Sequence, residues 1–312
     1  MPNKLSTSKN HVAVLLGYYK GEKYIREQLD SILKQDTDLK IWISNDGDES
    51  HTRFLEQENS LQQWMQKIEL INGPKSGFAK NFSSLIANAN IKADFYAWAD
   101  QDDVWEEDKL SRALQWLKTI PEDCPACYCS RTQLIDEAGN KIGYSPLFKK
   151  KPSFQNALVQ SIAGGNTMVM NQAARDLLAQ TKDAPIVSHD WWAYMLITGA
   201  GGQVYYDPHP SILYRQHRNN LVGSNDSLAA KLERIIMMLN KRFRDWNHIN
   251  CEALQQYRHL LATENQETYD SFCKARQSGL LKRIYFMWKS GVYRQTKMGN
   301  IGLAVATVLN KV

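Results

Sequence analysis

Three carboxylates crowd into four consecutive positions in Asp100-Gln101-Asp102-Asp103. Like charges this close disfavour one another unless a cation neutralises them. Asp100 and Asp102, at alternate positions, can both reach one hard metal ion. Mg²⁺ takes one or two protein carboxylates and fills its other positions with water and substrate phosphates. The preceding Asp94-Phe95-Tyr96-Ala97-Trp98 reads as a buried strand, so the acidic turn sits at a strand end. An Asp-x-Asp there suggests metal-bridged diphosphate chemistry. The competing reading of the same residues is an acidic surface turn. A second candidate is Asp190, at the start of a helix opened by His189-Asp190-Trp191-Trp192. A helix N-terminus favours an ionised carboxylate; a plain N-cap aspartate is the simplest reading of the residue.

The elements that must position these residues follow from hydrophobic patterning. His11 to Gly17 is a continuous apolar run ending in glycine, as in a strand buried on both faces. Tyr24 to Gln35 has apolar residues at helical spacing, and Leu39 to Ser44 is a second strand closed by the turn signal Asn45-Asp46-Gly47-Asp48. A helix is expected from about 51 to 66, then a strand over 68–71, a helix after Gly77 and the strand at 94–99. Further on, the pattern predicts a helix over 109–118, one strand from Ala126 to Leu134, a turn at 136–140 and a glycine turn at 164–166 feeding a strand. Helices over 172–180 and from His189 follow, with strands over 202–206 and 211–214. Alternating strands and helices imply a parallel, helix-flanked sheet. Ligands in such sheets bind beyond the carboxyl ends of the strands, where the turns at 17–21, 45–48 and 100–103 all fall. These residues are therefore expected to converge.

Composition narrows the class. The chain has 312 residues, 43% hydrophobic and 23% charged, which is ordinary for a globular protein and enough for a sizeable core. The first ten residues are polar and lack the apolar core of a secretory signal. The apolar run from Ile301 to Leu309 is too short to span a bilayer, so a cytoplasmic location is expected. Five cysteines, an odd number, argue for reduced thiols. Cys124, Cys127 and Cys129 have no second Cys/His pair at finger-like spacing, which favours a buried strand over zinc. Charge is uneven: residues 226–312 hold 14 Lys and Arg against seven Asp and Glu, a net of +7, leaving −2 of the chain's +5 for the rest. A near-neutral catalytic domain over 1–225 and a basic helical region over 226–312 are therefore expected.

Taken in order, these stations resemble the family 2 glycosyltransferases, and more narrowly the bacterial rhamnosyltransferase-like branch that builds surface polysaccharides. The resemblance is carried by Gly21-Glu22-Lys23-Tyr24-Ile25 with Gln28 to Gln35, Ile43-Ser44-Asn45-Asp46-Gly47, Gly77-Phe78-Ala79-Lys80-Asn81-Phe82, Asp100 to Trp105, His189 to Trp192 and Tyr214-Arg215-Gln216-His217. It spans roughly residues 11–223. It implies an α/β fold of the GT-A type, a Rossmann-like mixed sheet flanked by helices, here with a C-terminal helical appendage. It implies Mg²⁺ or Mn²⁺ as cofactor, and a dTDP- or UDP-linked nucleotide sugar as donor. On the residues it implies that Asp102 holds the metal on the donor diphosphate, that Asp100 contacts the donor sugar or ribose, and that Asp103 orients the metal ligands. Asp46 would accept from N3–H of a pyrimidine, and Tyr19 would pack on the base. The family more often has Thr-Tyr-Asn where this chain has Tyr18-Tyr19-Lys20, so Lys20 is a candidate for charge near phosphate. Glu22, Lys80, Asn81 and Arg215 fall on the donor side, with Arg218 as a further phosphate partner. Asp190 matches the catalytic base of an inverting transfer. His217 would complete the metal shell or close on the diphosphate. Gly164, Gly165 and Asn166 would shape the acceptor pocket. Trp191 and Trp192 would form an acceptor platform or pack in the core.

The tail from Gly279 to Val312 interleaves basic and aromatic residues, and no acidic residue follows Asp270. It suits an anionic membrane surface, helix packing on the catalytic domain, or pairing of two chains. No nucleic-acid motif accompanies the positive charge. The leading expectation is an inverting, metal-dependent transfer of a sugar, rhamnose first and UDP-hexoses next, to a glycan or lipid-linked oligosaccharide at the inner-membrane surface. A nucleotidyltransferase is the alternative enzyme, although Gly17-Tyr18-Tyr19-Lys20-Gly21 is a poor version of its glycine-rich loop. A non-catalytic glycan-binding protein on the same fold is the third reading.

Overall fold

The computed structural model describes residues 11–48, 65–162, 164–217 and 241–312. The expected helix at 51–66 and Arg218 lie outside the described residues, apart from a 3₁₀ turn at Met65–Lys67. The strands are β1 (His11–Tyr18), β2 (Asp38–Asn45), β3 (Ile68–Asn72), β4 (Phe95–Ala99), β5 (Val104–Trp105), β6 (Ala126–Ser130), β7 (Gln133–Ile135), β8 (Lys141–Tyr144), β9 (Val169–Asn171), β10 (Gln203–Asp207) and β11 (Ile212–Arg215). Among the described residues, seven form one sheet in the order β10-β6-β9-β4-β1-β2-β3. β1, β2, β3 and β4 run parallel, and β10 is parallel to β6.

Why β1 reads as continuously apolar is visible in its packing. Successive side chains leave a strand on opposite faces. Ala13 and Leu15 enter one apolar cluster with Trp42, Tyr96 and Trp98. Val12, Val14 and Leu16 enter another with Ile41, Ile43, Ala97 and Ala99. Both faces are covered, so neither can be polar. The Ile25–Leu33 helix buries Ile25, Leu29 and Ile32 on the second face, and the Phe78–Ala87 helix buries Phe82, Leu85 and Ile86 on the first.

Two departures from the sequence expectation position the site. First, the sheet is mixed. β9 lies antiparallel between β4 and β6, pairing Ala97 with Val169. Residues just before β9 are thereby delivered beside those just after β4. Second, the expected strand from Ala126 to Leu134 breaks at Arg131-Thr132. There Arg131 N donates to Asp207 O and Thr132 N donates to Ser145 Oγ. The chain leaves the main sheet and enters a second sheet, ordered β5-β11-β7-β8. β11 is antiparallel to β5, with Leu213 opposite Val104. Continuing that register carries Arg215 and the residues after it alongside the aspartate turn.

The described helices after residue 240 are not packed apart from the catalytic fold. Phe243, Leu254, Phe272, Met287 and Leu303 belong to the same apolar cluster as Trp191 to Ile197. The boundary expected near 225 falls among residues outside the described set. No helix among the described residues is long and apolar enough to cross a membrane. Cys127 and Cys129 lie buried on β6, and all five cysteines are free thiols.

Candidate active site

The register β1–β2 pairs Tyr18 with Asn45, and β1–β4 pairs Leu16 with Ala99. The three loops that follow, at 19–24, 46–48 and 100–103, therefore share one edge of the sheet, as the sequence reading requires. Asp102 and His217 meet there: Asp102 Oδ2 lies 3.0 Å from His217 Nε2. The imidazole stacks on Tyr24, ring centroids 5.7 Å apart. Asp100 stands beside this pair. Burial first, then the Asp102 and Asp190 carboxylates, push its pKa up to about 7, against the Lys109 ammonium. That dependence puts Asp190 within electrostatic reach of the aspartate turn.

Asp103 is fully buried and locks the turn from beneath. Its Oδ2 accepts from Asn166 Nδ2 at 2.6 Å and its Oδ1 from Arg215 N at 3.3 Å. Burial, then Asp102 and Asp100, raise this carboxyl well above the usual range. Lys109, also without exposed surface, donates to Asn166 O at 2.8 Å and lies over the Trp105 ring. Burial lowers its pKa to about 7, opposed by Asp103. Buried polar groups are tolerated when hydrogen-bonded, and Asn166 bridges the two, accepting from Lys109 and donating to Asp103.

Arg215 is a staple in this structure. It is 2% exposed. Its Nε donates to Asp102 O, one terminal nitrogen donates to Asp136 O and Glu137 O, and the other donates to Glu27 Oε2 at 2.6 Å. Its planar fork joins the aspartate turn, the 136–140 turn and the first helix while it covers the Tyr24 ring. Those donors are spent on protein, so the expected phosphate contact from Arg215 is corrected to a structural role.

On the opposite wall, Asp46 Oδ1 accepts from Lys75 N at 2.6 Å and Oδ2 from Gly77 N at 3.0 Å. A carboxylate has about four acceptor positions, so with these two filled it has capacity for further donors. Gly73 lets this loop close: a Cβ there would stand 2.8 Å from Asp46 Oδ1. Tyr19 is 54% exposed. The Lys20 ammonium lies 5.2 Å from the Tyr19 ring, and Lys20 adopts φ +52°. Glu22 flanks the Tyr18 phenol, and burial and this carboxylate raise the phenol's pKa.

Four other expectations are corrected. Asn81 is buried and exchanges bonds with Ser44, accepting from Ser44 Oγ at 2.5 Å and donating to Ser44 O; it ties its helix to β2. Lys80 reaches away to Ala184 O. Trp191 and Trp192 offer no platform: they are 6% and 2% exposed, and their indole N–H groups donate to Ala157 O and Thr181 Oγ1. A helix surrounded by apolar neighbours buries its indoles because they carry the most apolar area.

Asp190 is half-buried at the first turn of the His189–Gly199 helix and accepts from Trp191 N. Beside it, His189 stacks on Phe82 at 4.0 Å and meets Trp98 edge-on. Burial lowers its pKa to about 4, with Asp190 opposing. Gly165 permits this: a Cβ there would sit 2.3 Å from His189 Nε2. Gly164 likewise clears Asn166 Oδ1. The glycine turn thus shapes the floor between the two acidic stations.

The sequence reading missed Gln101. Its Oε1 accepts from Tyr19 N at 2.7 Å and its Nε2 donates to Tyr19 O at 2.9 Å, as a neighbouring strand would. Its position between the two named aspartates was the available signal. Tyr24, held between Arg215 and His217, was quoted only as part of a motif.

The donor set suits a hard divalent ion. One carboxylate and one imidazole face each other, and a carboxyl beside them is held up by its anionic neighbours. Among the described residues no group of three or more His, Cys, Asp or Glu side chains gathers as a complete protein shell. An ion of this kind that takes its remaining ligands from phosphate and water asks for no more than the pair.

Comparison with known proteins gives the family. The family model described as "Glycosyl transferase family 2" matches residues 14–178. The dTDP-rhamnosyl transferase RfbG of Shigella flexneri is 31% identical over 242 residues, covering 72% of this chain and 80% of that protein. An uncharacterized glycosyltransferase of Rickettsia felis is 26% identical over 134 residues, covering 43% of this chain and 21% of that protein. Among solved structures, TarS residues 1–349 from S. aureus in complex with UDP-GlcNAc superposes with TM-score 0.50 at 13% identity, covering 91% of this chain and 93% of that one. The chain belongs to glycosyl transferase family 2: it is a rhamnosyltransferase-like glycosyltransferase on a GT-A fold.

Proposed function

We propose that this enzyme performs an inverting, metal-dependent transfer of a sugar from a pyrimidine nucleotide sugar, dTDP-rhamnose first, to a glycan acceptor carried on a lipid. The observation that carries the reading is the meeting of Asp102 and His217, 3.0 Å apart, on the sheet edge that Asp190 also addresses. The similarity to a dTDP-rhamnosyl transferase supports the choice of donor. A divalent ion, Mg²⁺ or Mn²⁺, held by Asp102 and His217 supplies neutralisation of the charge that builds on the leaving diphosphate.

The chain's own residues do the rest. Tyr19 offers an exposed ring for the base to stack on, and Asp46 keeps an acceptor position for a pyrimidine N3–H. Asp100, at the centre of the acidic edge, is the group nearest in role to the donor sugar or ribose. Asp190 takes the acceptor hydroxyl proton as that oxygen bonds the anomeric carbon. The sugar–phosphate bond breaks with its electron pair leaving on the nucleoside diphosphate. Gly164, Gly165 and Asn166 border the acceptor side. Release of nucleoside diphosphate, with no pyrophosphate, separates this reading from a nucleotidyltransferase.

The test is turnover of dTDP-rhamnose and UDP-hexoses with Mg²⁺ or Mn²⁺, with calorimetric donor binding measured alongside. Asp190→Asn is expected to lower kcat by about 10²–10⁴-fold while donor binding persists. Asp102→Ala is expected to abolish metal-dependent donor binding. Binding of donor that is indifferent to chelator and to Asp102→Ala would overturn the proposal.

A further inference from the structure

The last two helices, Leu280–Ser290 and Lys297–Val308, pack against each other. Arg283 fixes their relation by donating to Thr307 O and Val308 O. Each turns an apolar stripe outward. On the first, Leu281, Ile284, Tyr285 and Trp288 recur at helical spacing, with Leu281 82% and Trp288 78% exposed. On the second, Met298, Ile301, Val305 and Val308 do the same. A single exposed leucine needs no explanation, whereas a contiguous face of large apolar side chains marks an interaction surface.

Charge selects the occupant. Lys282, Lys289 and Lys297 are exposed on the same two helices. Eight Lys and Arg follow Asp270 without one acidic residue. A second copy meeting this face about a twofold axis would oppose lysines to lysines. An apolar face flanked by cations matches the boundary of an anionic bilayer, where aromatic and aliphatic side chains enter the acyl region and lysines meet headgroup phosphates.

We propose that the Leu280–Val308 helix pair docks the enzyme on an anionic phospholipid surface. The inference deepens the lipid-linked acceptor reading and rests on it for its purpose, while using none of the site residues. The experiment is flotation of the full chain with vesicles of phosphatidylglycerol and phosphatidylcholine in equal parts, against phosphatidylcholine alone. The expected result is capture by the anionic vesicles only. Capture should fall on the order of ten-fold with Lys282→Glu and Lys289→Glu together. It should vanish with Leu281→Asp and Trp288→Asp together at an unchanged melting temperature. No capture of the wild type by anionic vesicles would overturn the proposal, as would equal capture of the aspartate variant. A wild-type dimer that those same substitutions dissociate, without vesicle capture, would assign the face to a second copy. Flotation reads no sugar transfer. Its failure therefore leaves the transferase reading intact, and a chain that floats but turns over no donor overturns that reading alone.

Discussion

His189 shows how a single buried ring can bear on the carboxylate next to it. Its imidazole is sandwiched among Phe82, Trp98 and Phe78, and neither ring nitrogen has a partner among the described residues. Such a ring is held neutral, its pKa lowered from 6.5 to about 4, so Asp190 has no imidazolium at its side. The cost appears in stability. Above pH 6.5 the ring is neutral in both folded and unfolded chains and adds no pH dependence. Between 6.5 and about 4 the unfolded chain binds a proton that the native one refuses, so stability falls as pH falls. By pH 5 this amounts to about 2 kcal/mol. Urea unfolding at pH 7 and pH 5 should show the wild type losing about that much more than His189→Gln. Equal losses would mean that water reaches the ring.

At the scale of elements, the site is a junction of three loops at one edge of the main sheet, met by β11 of the second sheet. Gln101 pins the 100–103 loop to the 19–24 loop by mimicking a strand's pair of hydrogen bonds on Tyr19. Gln101→Ala removes that clamp and leaves the carboxylates in place. Its expected effect is a donor KM raised on the order of ten-fold, with kcat changed much less, because a loosened Tyr19 weakens ground-state and transition-state binding alike. An equal fall in kcat would place Gln101 in the chemical step instead. The parallel half of this arrangement was legible in the sequence. Continuous apolar runs ending at Gly17 and Ser44 mark strands buried on both faces, and their carboxyl ends must hold the loops. The antiparallel insertion of β9 and the second sheet were not legible. β9 has three residues and β5 two, too few for a period to show. Their partners are distant in sequence, as when β11 finds β5. For the same reason Arg215 looked like a phosphate ligand. Its hydrogen bonds span from 78 to 188 residues along the chain, and no local pattern reports them. Asp102 and His217 were legible as candidates through the resemblance, and it is the β5–β11 register that brings them together.

On the scale of the whole molecule, the C-terminal helices have an inner and an outer face with different work. The outer face is the one proposed to meet lipid. The inner face belongs to the catalytic core: Met287, Leu303 and Ala306 are buried in the cluster that holds Trp191. The loop between the helices is stitched to the 150–160 segment. Asn156 Nδ2 donates to Tyr293 O, Gln295 Nε2 to Lys150 O, and an Arg294 terminal nitrogen to Val159 O. That segment in turn supplies Ala157 O, which receives the Trp191 indole one residue beyond Asp190. A chain ending at Ser278 would lose all of these supports. Burial of Met287 and Leu303 alone brings roughly 1.5–3 kcal/mol each, so truncation should lower stability by at least about 3 kcal/mol. It should also lower kcat, through a less firmly held Asp190. Outer-face substitutions should do neither, since Leu281 and Trp288 are mostly in solvent. Thermal melting followed by circular dichroism, together with turnover on an acceptor free in solution, separates the two faces. A truncated chain with the wild-type melting temperature and kcat would show the tail to be an accessory to the catalytic fold; the buried contacts argue that it is part of it.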